Sequence, residues 1–397
     1  MDGVSDTIES YKYVSDGVVR MKAIVNGKIV TPDAVLEGKV LIFDRVIVGI
    51  VDALPDGCEV IDANGMYVSP GLIDVHIHGC MGFDVMDSVC EAVKIVSESI
   101  VKNGVTSFLP TTMTMEQEDV FRALESVRRF MAEDLEGARV LGAHLEGPFV
   151  NVGYKGAQDE RFVRVPSWDL VAGYADVIRV VTYAPECDEG FDFTNCVMDF
   201  DVDIRLSMGH SGASFGLAME AIRRGCGHVT HLFNAMSPMN HRDPGVVGAA
   251  LMSDVFVELI ADNVHVSPDM YQFVFDNKGS DRVVLITDSM RAGGMEDGDY
   301  DLGGQAVRVS DGVARLEDGT LAGSVLCLND AVRNFYKGCD VSISDVFKMA
   351  SLNPAKSIGV DGCKGSLEIG KDADIALFDG DFRCRMTICE GRVVFGG

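Results

Sequence analysis

The sequence predicts an α/β protein: a (β/α)8 TIM barrel over residues 70–365, with a small β-sandwich domain built from both chain ends, residues 21–69 and 366–397. Three observations carry this reading. Eight apolar, strand-like runs alternate with helical or mixed segments, the pattern of a parallel barrel. Short β-like runs broken by turn residues crowd both ends of the chain. Seven of the eight histidines lie at or just beyond the C-terminal ends of the eight runs, the end at which such barrels keep their chemistry.

In chain order, residues 1–20 are polar and read as a flexible N-terminal extension. They lack a basic start followed by an apolar stretch, so no secretory signal is expected. From Met21 the runs KAIVNGKIV, KVLIFDRVIVGIV and EVIDANGMYV are separated by turns such as Asn26-Gly27 and Pro55-Asp56-Gly57. KDADIALFD and MTICEGRVVF have the same character at the far end. The eight barrel runs are LIDVHIH, VTSFL, RVLGAHLE, VIRVVTYA, DIRLSMGH, HVTHLF, VFVELIA and RVVLITD. Between the first two, Ser88-x-x-Glu91 is expected as a capping box that opens a helix with Val89, Val93, Val96 and Ile100 facing inward, closed by Gly104. Thr114-x-x-Gln117 is expected to open the next, with Val120, Leu124, Val127 and Met131 inward.

Composition narrows the function. At 397 residues the chain is too long for one small domain. Hydrophobic residues make up 47%, yet no run approaches the roughly 18 apolar residues of a membrane span. Eleven cysteines without a Cys-x-x-Cys pair fit the reduced thiols of a cytoplasm better than a disulfide frame. A formal charge of −27 argues against nucleic acid, and an anionic substrate would need a local cluster of cations working against that field.

Residues 71–79, GLIDVHIHG, read as a buried strand with His76 and His78 on one face. Taken alone, that spacing also suits two core histidines bound to nothing. His144 and Glu146 close the third run, His210 the fifth and Asp288 the eighth, while His231 falls in the sixth and His265 follows the seventh. Groups so far apart in the chain converge at one mouth, which points to a metal centre. A carboxylate buried there, as Glu146 would be, needs a cation to offset its desolvation. His228 lies three positions before His231, on the other face of a strand, and reads as a hydrogen-bonded packing residue.

This arrangement resembles the amidohydrolase superfamily. Within it, HLEGPF (144–149), YKGAQ (154–158), GHSGAS (209–214), THLFNAMSPMNHRDPG (230–245), ADNVHV (261–266), ITDSM (286–290) and LAGS (321–324) resemble the N-acetylglucosamine-6-phosphate deacetylase family, over about residues 21–395. The resemblance implies Glu146, His210 and His231 as ligands of a principal metal. His76 and His78 would make room for a second ion, with Glu146 bridging and Asp288 close to both. Imidazole and carboxylate without thiolate suit Zn²⁺ or Fe²⁺, one or two per chain.

The implied reaction is hydrolysis of the acetamide of N-acetylglucosamine 6-phosphate, with Asp288 taking a proton from water and passing it to the departing amine. The family pattern places backbone groups of Ala157, Asn234 and Ala235 near the sugar and phosphate, and makes Arg242 and His265 the cationic partners. The arginine can come from a neighbouring subunit, which implies a homodimer. Gln158 stands where many relatives carry a carbonyl-polarising histidine; it can donate a hydrogen bond but carry no proton. His144 reads as a partner that orients Glu146. The glycine-rich segment 292–324 reads as a hairpin insertion ending in a loop, Leu321, Ala322 and Gly323, over the sugar. Three rivals remain: a cyclic-amide hydrolase, which VVTYAPE disfavours for want of a bridging lysine; a deacetylase of the galactosamine epimer; and a non-catalytic scaffold, against which the ligand set and Asp288 argue.

Overall fold

The computed structural model describes residues 21–87, 91–200 and 202–396. The expectations for the extension and for Ser88 and Val89 lie outside the described residues. Eight parallel strands form the centre: β1 Leu72–Ile77, β2 Val105–Pro110, β3 Ala143–Glu146, β4 Ile178–Tyr183, β5 Arg205–Met208, β6 His228–Val229, β7 Phe256–Ile260 and β8 Val283–Ile286. Strands β3 to β8 pair in sequence order as one parallel sheet, and β1 pairs with β2 in a second arc. Isolated parallel bridges, Thr111 to His144 and Ile77 to Ser289, join the arcs at both edges. The result is a curled, barrel-like parallel sheet. Its strands are apolar on both faces because helices cover the outside and side chains fill the inside; β1, β2 and β8 are buried at every position.

Two helices test the caps expected from sequence. Helix α1, Ala92–Ile100, buries Val93, Val96 and Ile100 as its period requires, but its N-cap is Glu91, with no side-chain capping bond. A short 3-10 turn carries it to Gly104, whose φ of +81° and close approach to the Phe378 ring suit only glycine. Helix α2, Gln117–Ala132, starts after Glu116, so Thr114 is not its cap. Thr114 is buried instead, and its backbone N–H donates to the Gln158 side chain. The inward face of α2 is Val120, Ala123, Leu124, Val127 and Phe130, while Met131 is only half-buried.

The chain ends form two further sheets. One contains Ile47–Val51, Val40–Phe43, Lys22–Val25 and Glu59–Asp62; the other runs Arg392–Phe395, Cys384–Cys389, Ile375–Phe378, Tyr67–Pro70, Lys28–Val30, Val35–Leu36. Ile24, Leu41 and Phe43 from the first share one buried cluster with Val68, Ile375, Leu377 and Ile388 from the second. Both ends of the chain therefore meet, as the repeated β character of the termini implied. After β8, Gly298–Leu302, Gln305–Ser310 and Val313–Leu316 form an antiparallel three-stranded sheet. The ten cysteines among the described residues stand outside any disulfide. No helix among those residues is long and apolar enough to cross a membrane.

Candidate metal centre and substrate cavity

β1 brings His76 and His78 to the C-terminal mouth by simple alternation. Glu146 ends β3, opposite Thr182 of β4. His210, after β5, has φ +48°, and Asp288, after β8, has φ +50°. His231 lies outside β6, which ends at Val229; it occupies a turn with φ +31°. The sequence placed it within a strand, but a strand cannot deliver a ring back toward Glu146 and a left-handed turn can. Positive φ in a bulky residue is costly, and it recurs here at the residues that converge.

The convergence is tight. Glu146 Oε1 lies 3.1 Å from His210 Nε2 and 3.1 Å from His231 Nε2. Its other oxygen is 3.2 Å from His78 Nε2, and His76 Nε2 stands 3.5 Å from Oε1. Asp288 Oδ1 is 3.3 Å from His78 Nε2 and 3.5 Å from His76 Nε2. Of three candidate ligand groups, two share one carboxylate, Glu146 with His210 and His231, and Glu146 with His76 and His78; the third is His76 with His144 and Glu258.

These residues fit a divalent ion. An ion with bonds of about 2.0–2.2 Å in tetrahedral array spaces its ligand atoms about 3.3–3.6 Å apart, close to the separations found. His76 donates its Nδ1–H to Glu258 Oε2 at 2.9 Å and His210 donates its own to the Tyr154 carbonyl at 3.1 Å, so both turn a bare Nε2 inward. His210 and His231 point Nε2 at Nε2 across 3.1 Å, an arrangement that two lone pairs adopt around a cation.

The electrostatics agree. Burial works to raise the Glu146 carboxyl, but His76, His210 and His231 outweigh it and hold it well below the usual carboxylate range. Burial likewise opposes ionised Asp288, yet His76 and His78 hold it at about 2. His78 is pushed down by burial and up, more strongly, by Asp288 and Glu146, to about 9. In the absence of a cation, protons on the rings balance these carboxylates.

Above the centre lies a cavity of about 390 Å³. Ala157, Gln158, Asn234, Ala235, His265, Leu321 and Gly323 line it beside His78, Glu146, His210, His231 and Asp288. Ala322 is buried next to it, donating its N–H to Ala314. Arg242 is exposed, outside this lining, and forms no ion pair with its neighbour Asp243 or with any other acid among the described residues. His265 reaches the cavity with its Nδ1 2.7 Å from Asp262, which takes up part of any charge it offers an anion.

Two expectations, for His144 and His228, need correction, and Gln158 is found as a hydrogen-bond donor at the cavity. His144 does not orient Glu146: its Nδ1–H donates to the Val75 carbonyl at 3.0 Å and its Nε2 accepts from Thr182 at 2.7 Å, while its ring packs edge-on against His76. Two positions apart on β3, the two side chains leave the backbone at different levels of the barrel. His228 packs as expected, but neither ring nitrogen has a hydrogen-bond partner. Gln158 is already engaged, accepting from Thr114 N–H at 2.7 Å and donating to Glu146 Oε2 at 2.9 Å. Sequence reasoning missed Glu258 and Asp74. Asp74 ties β1 to β8 by accepting from the Thr287 hydroxyl at 2.6 Å. An acid inside an otherwise apolar barrel strand, as in VFVELIA, was the available signal for Glu258.

Residues 67–394 match the amidohydrolase family. The chain is 44% identical over 337 residues to the N-acetylglucosamine-6-phosphate deacetylase of Bacillus subtilis (strain 168), covering 82% of this chain and 84% of that protein. It is 35% identical over 355 residues to the N-acetylgalactosamine-6-phosphate deacetylase of Escherichia coli O157:H7, covering 88% and 93%. The crystal structure of N-acetylglucosamine-6-phosphate deacetylase from Pasteurella multocida superposes with a TM-score of 0.89 at 33% identity, over 94% of this chain and 99% of that one. The shared fold, the ligand geometry and these likenesses agree: the chain belongs to the amidohydrolase family, among the N-acetylglucosamine-6-phosphate deacetylases.

Proposed function

We propose that the chain hydrolyses the acetamide of N-acetylglucosamine 6-phosphate, releasing glucosamine 6-phosphate and acetate, in the breakdown and recycling of amino sugars. The observation that carries this is Asp288 beside a carboxylate shared by two histidine pairs, at the floor of a cavity of sugar size. Glu146, His210 and His231 would hold a divalent ion, Zn²⁺ or Fe²⁺, and His76, His78 and Glu146 a second; when bound, such an ion would supply an acidified water and a Lewis acid for the acetyl carbonyl. Asp288, ionised and only 11% exposed at its side chain, accepts the proton from that water and returns it to the amine, which would otherwise leave as an unstable anion.

Gln158 keeps Glu146 oriented and presents its amide at the cavity wall. Backbone groups of Ala157, Asn234 and Ala235 hold the sugar and phosphate, His265 faces the anion, and the 321–323 loop covers it. Arg242 serves the site of the neighbouring chain in a homodimer, its planar fork matching a phosphate. The barrel, residues 70–365, does the chemistry, and the two chain-end sheets form the accompanying β-sandwich. Reduced cysteines and the small phosphorylated substrate suit a cytoplasmic enzyme.

The galactosamine epimer is the second reading, favoured by the similarity to the Escherichia coli protein. Acetate release from both 6-phosphorylated epimers and from the unphosphorylated sugar tests both. Faster turnover of the gluco epimer with dependence on the phosphate is expected; absence of release from either phosphorylated sugar would overturn the proposal.

A further inference from the structure

Beneath the two ligand groups lies a carboxylate that is wholly buried and belongs to neither. Glu258 sits in the middle of β7 with no exposed surface. Its Oε2 accepts from two directions: His76 Nδ1–H at 2.9 Å and the backbone N–H of His231 at 3.1 Å. We propose that Glu258 is a positioning residue that assembles both ligand groups at once, turning the free Nε2 of His76 toward Glu146 and Asp288 while anchoring the turn that carries His231.

A carboxylate only accepts, so the His76 nitrogen that meets it must carry the proton, and the other nitrogen is left bare. The ring cannot flip out of this pose without loss. Rotation by half a turn would set a carbon against Glu258, and the His144 ring, 4.6 Å away and edge-on, closes the side.

The second contact acts on the backbone. His231 holds φ +31°, a conformation that costs a non-glycine residue energy, and its N–H bond to Glu258 offsets that cost. The other oxygen, Oε1, has no hydrogen-bond partner and faces His228 Nε2 at 3.8 Å. No donor there draws the carboxylate away, so Oε2 takes both bonds.

Stability does not explain the residue. An aliphatic side chain would sit in this strand at lower cost than a buried carboxylate with an orphaned oxygen. Its partners do: one is a ring of the His76–His78 group, the other the backbone of the His210–His231 group.

The consequence for metal loading rests on the two-ion reading above, so the test separates the two. In Zn²⁺-loaded protein, ¹⁵N NMR of the imidazoles reads whether His76 carries a slowly exchanging Nδ1 proton, and elemental analysis reads zinc per chain. Glu258→Met removes the acceptor in a side chain of similar length; Glu258→Gln keeps one acceptor oxygen. The expected result is loss of the His76 Nδ1 proton signal in Glu258→Met, with zinc at the His76–His78 group weakened about 10- to 100-fold, and recovery of most of both in Glu258→Gln.

The proposal is overturned if Glu258→Met keeps the proton signal and the zinc, or if the two variants behave alike. Should neither variant fold, the wild-type spectrum decides: a His76 ring without an Nδ1 proton overturns the proposal. A wild-type chain that takes a single zinc sinks the two-ion reading instead and leaves the Nδ1 measurement to judge Glu258.

Discussion

The mouth of the curled sheet and the paired sheets at the chain ends bury their side chains by opposite rules. Between the end sheets Ile24, Ile29, Leu41, Phe43, Leu377 and Ile388 are removed from water in one apolar cluster, and the charge buried beside it is a single closed pair, Lys364 and Asp374 at 2.8 Å. At the mouth, Glu146, Glu258, Asp288 and the four histidines of the two ligand groups are buried together within a few ångströms. Positive φ does not follow the same division: in the chain-end sheets it falls at Asn26 and Asn64, for which a left-handed conformation costs little, and at Phe382 and Glu390, for which it costs more. At the mouth it falls on His210, His231, Ala235 and Asp288. Most of the buried charge is thus gathered where a cation and a substrate can offset it, and apolar packing supplies the stability that this concentration spends.

That contrast can be broken in several ways. The largest effect is expected from Glu146→Gln, which removes the carboxylate common to both ligand groups. Metal content and turnover should fall together to background with the fold retained; a fully metallated, active variant would erase the distinction between the regions. Next, Asp288→Asn should lower kcat by about 10² to 10⁴ while keeping its metal, as measured by acetate release and elemental analysis. Wild-type kcat would remove Asp288 from the chemistry.

In the other region, Leu377→Ala should cost about 2–5 kcal/mol of stability in denaturant unfolding and leave kcat/KM unchanged. A large loss of activity at full saturation would mean that the end sheets shape the site. A smaller effect sharpens the electrostatic side. His78 sits at about 9 in the metal-free protein because Asp288 and Glu146 outweigh its burial, so at pH 7 its ring holds a proton that a metal must displace. Against its burial, His76 is held above its ordinary value by Glu146, Glu258 and Asp288 as well, so affinity at this group should rise by at least tenfold per pH unit from 7 towards 9, with proton release seen by calorimetry in two buffers. Smallest, Arg242→Ala should raise KM for the phosphorylated sugar by about tenfold with little change in kcat. An unchanged KM would place Arg242 outside the substrate path.

Strands and helices were legible where the information is local. The alternation in LIDVHIH puts His76 and His78 side by side, and the spacing of Val93, Val96 and Ile100 defines the inner face of α1. Caps were not: Thr114 has the right spacing from Gln117, but burial beside Gln158 offered its N–H a partner that the helix could not match. His144 was assigned to Glu146 by proximity in sequence, whereas its bonds go to Val75 and Thr182 on neighbouring strands.

Residue pattern alone determined that an α/β chain would gather histidines and acids at one end of its parallel strands, because period and strand-end placement are properties of short segments. Which of those groups share an oxygen, which ring nitrogen faces inward and which buried acid holds it there were decided by the closed sheet. Glu258 and His76 stand 182 positions apart, and only the curl that sets β7 across from β1 gives that carboxylate a proton to accept.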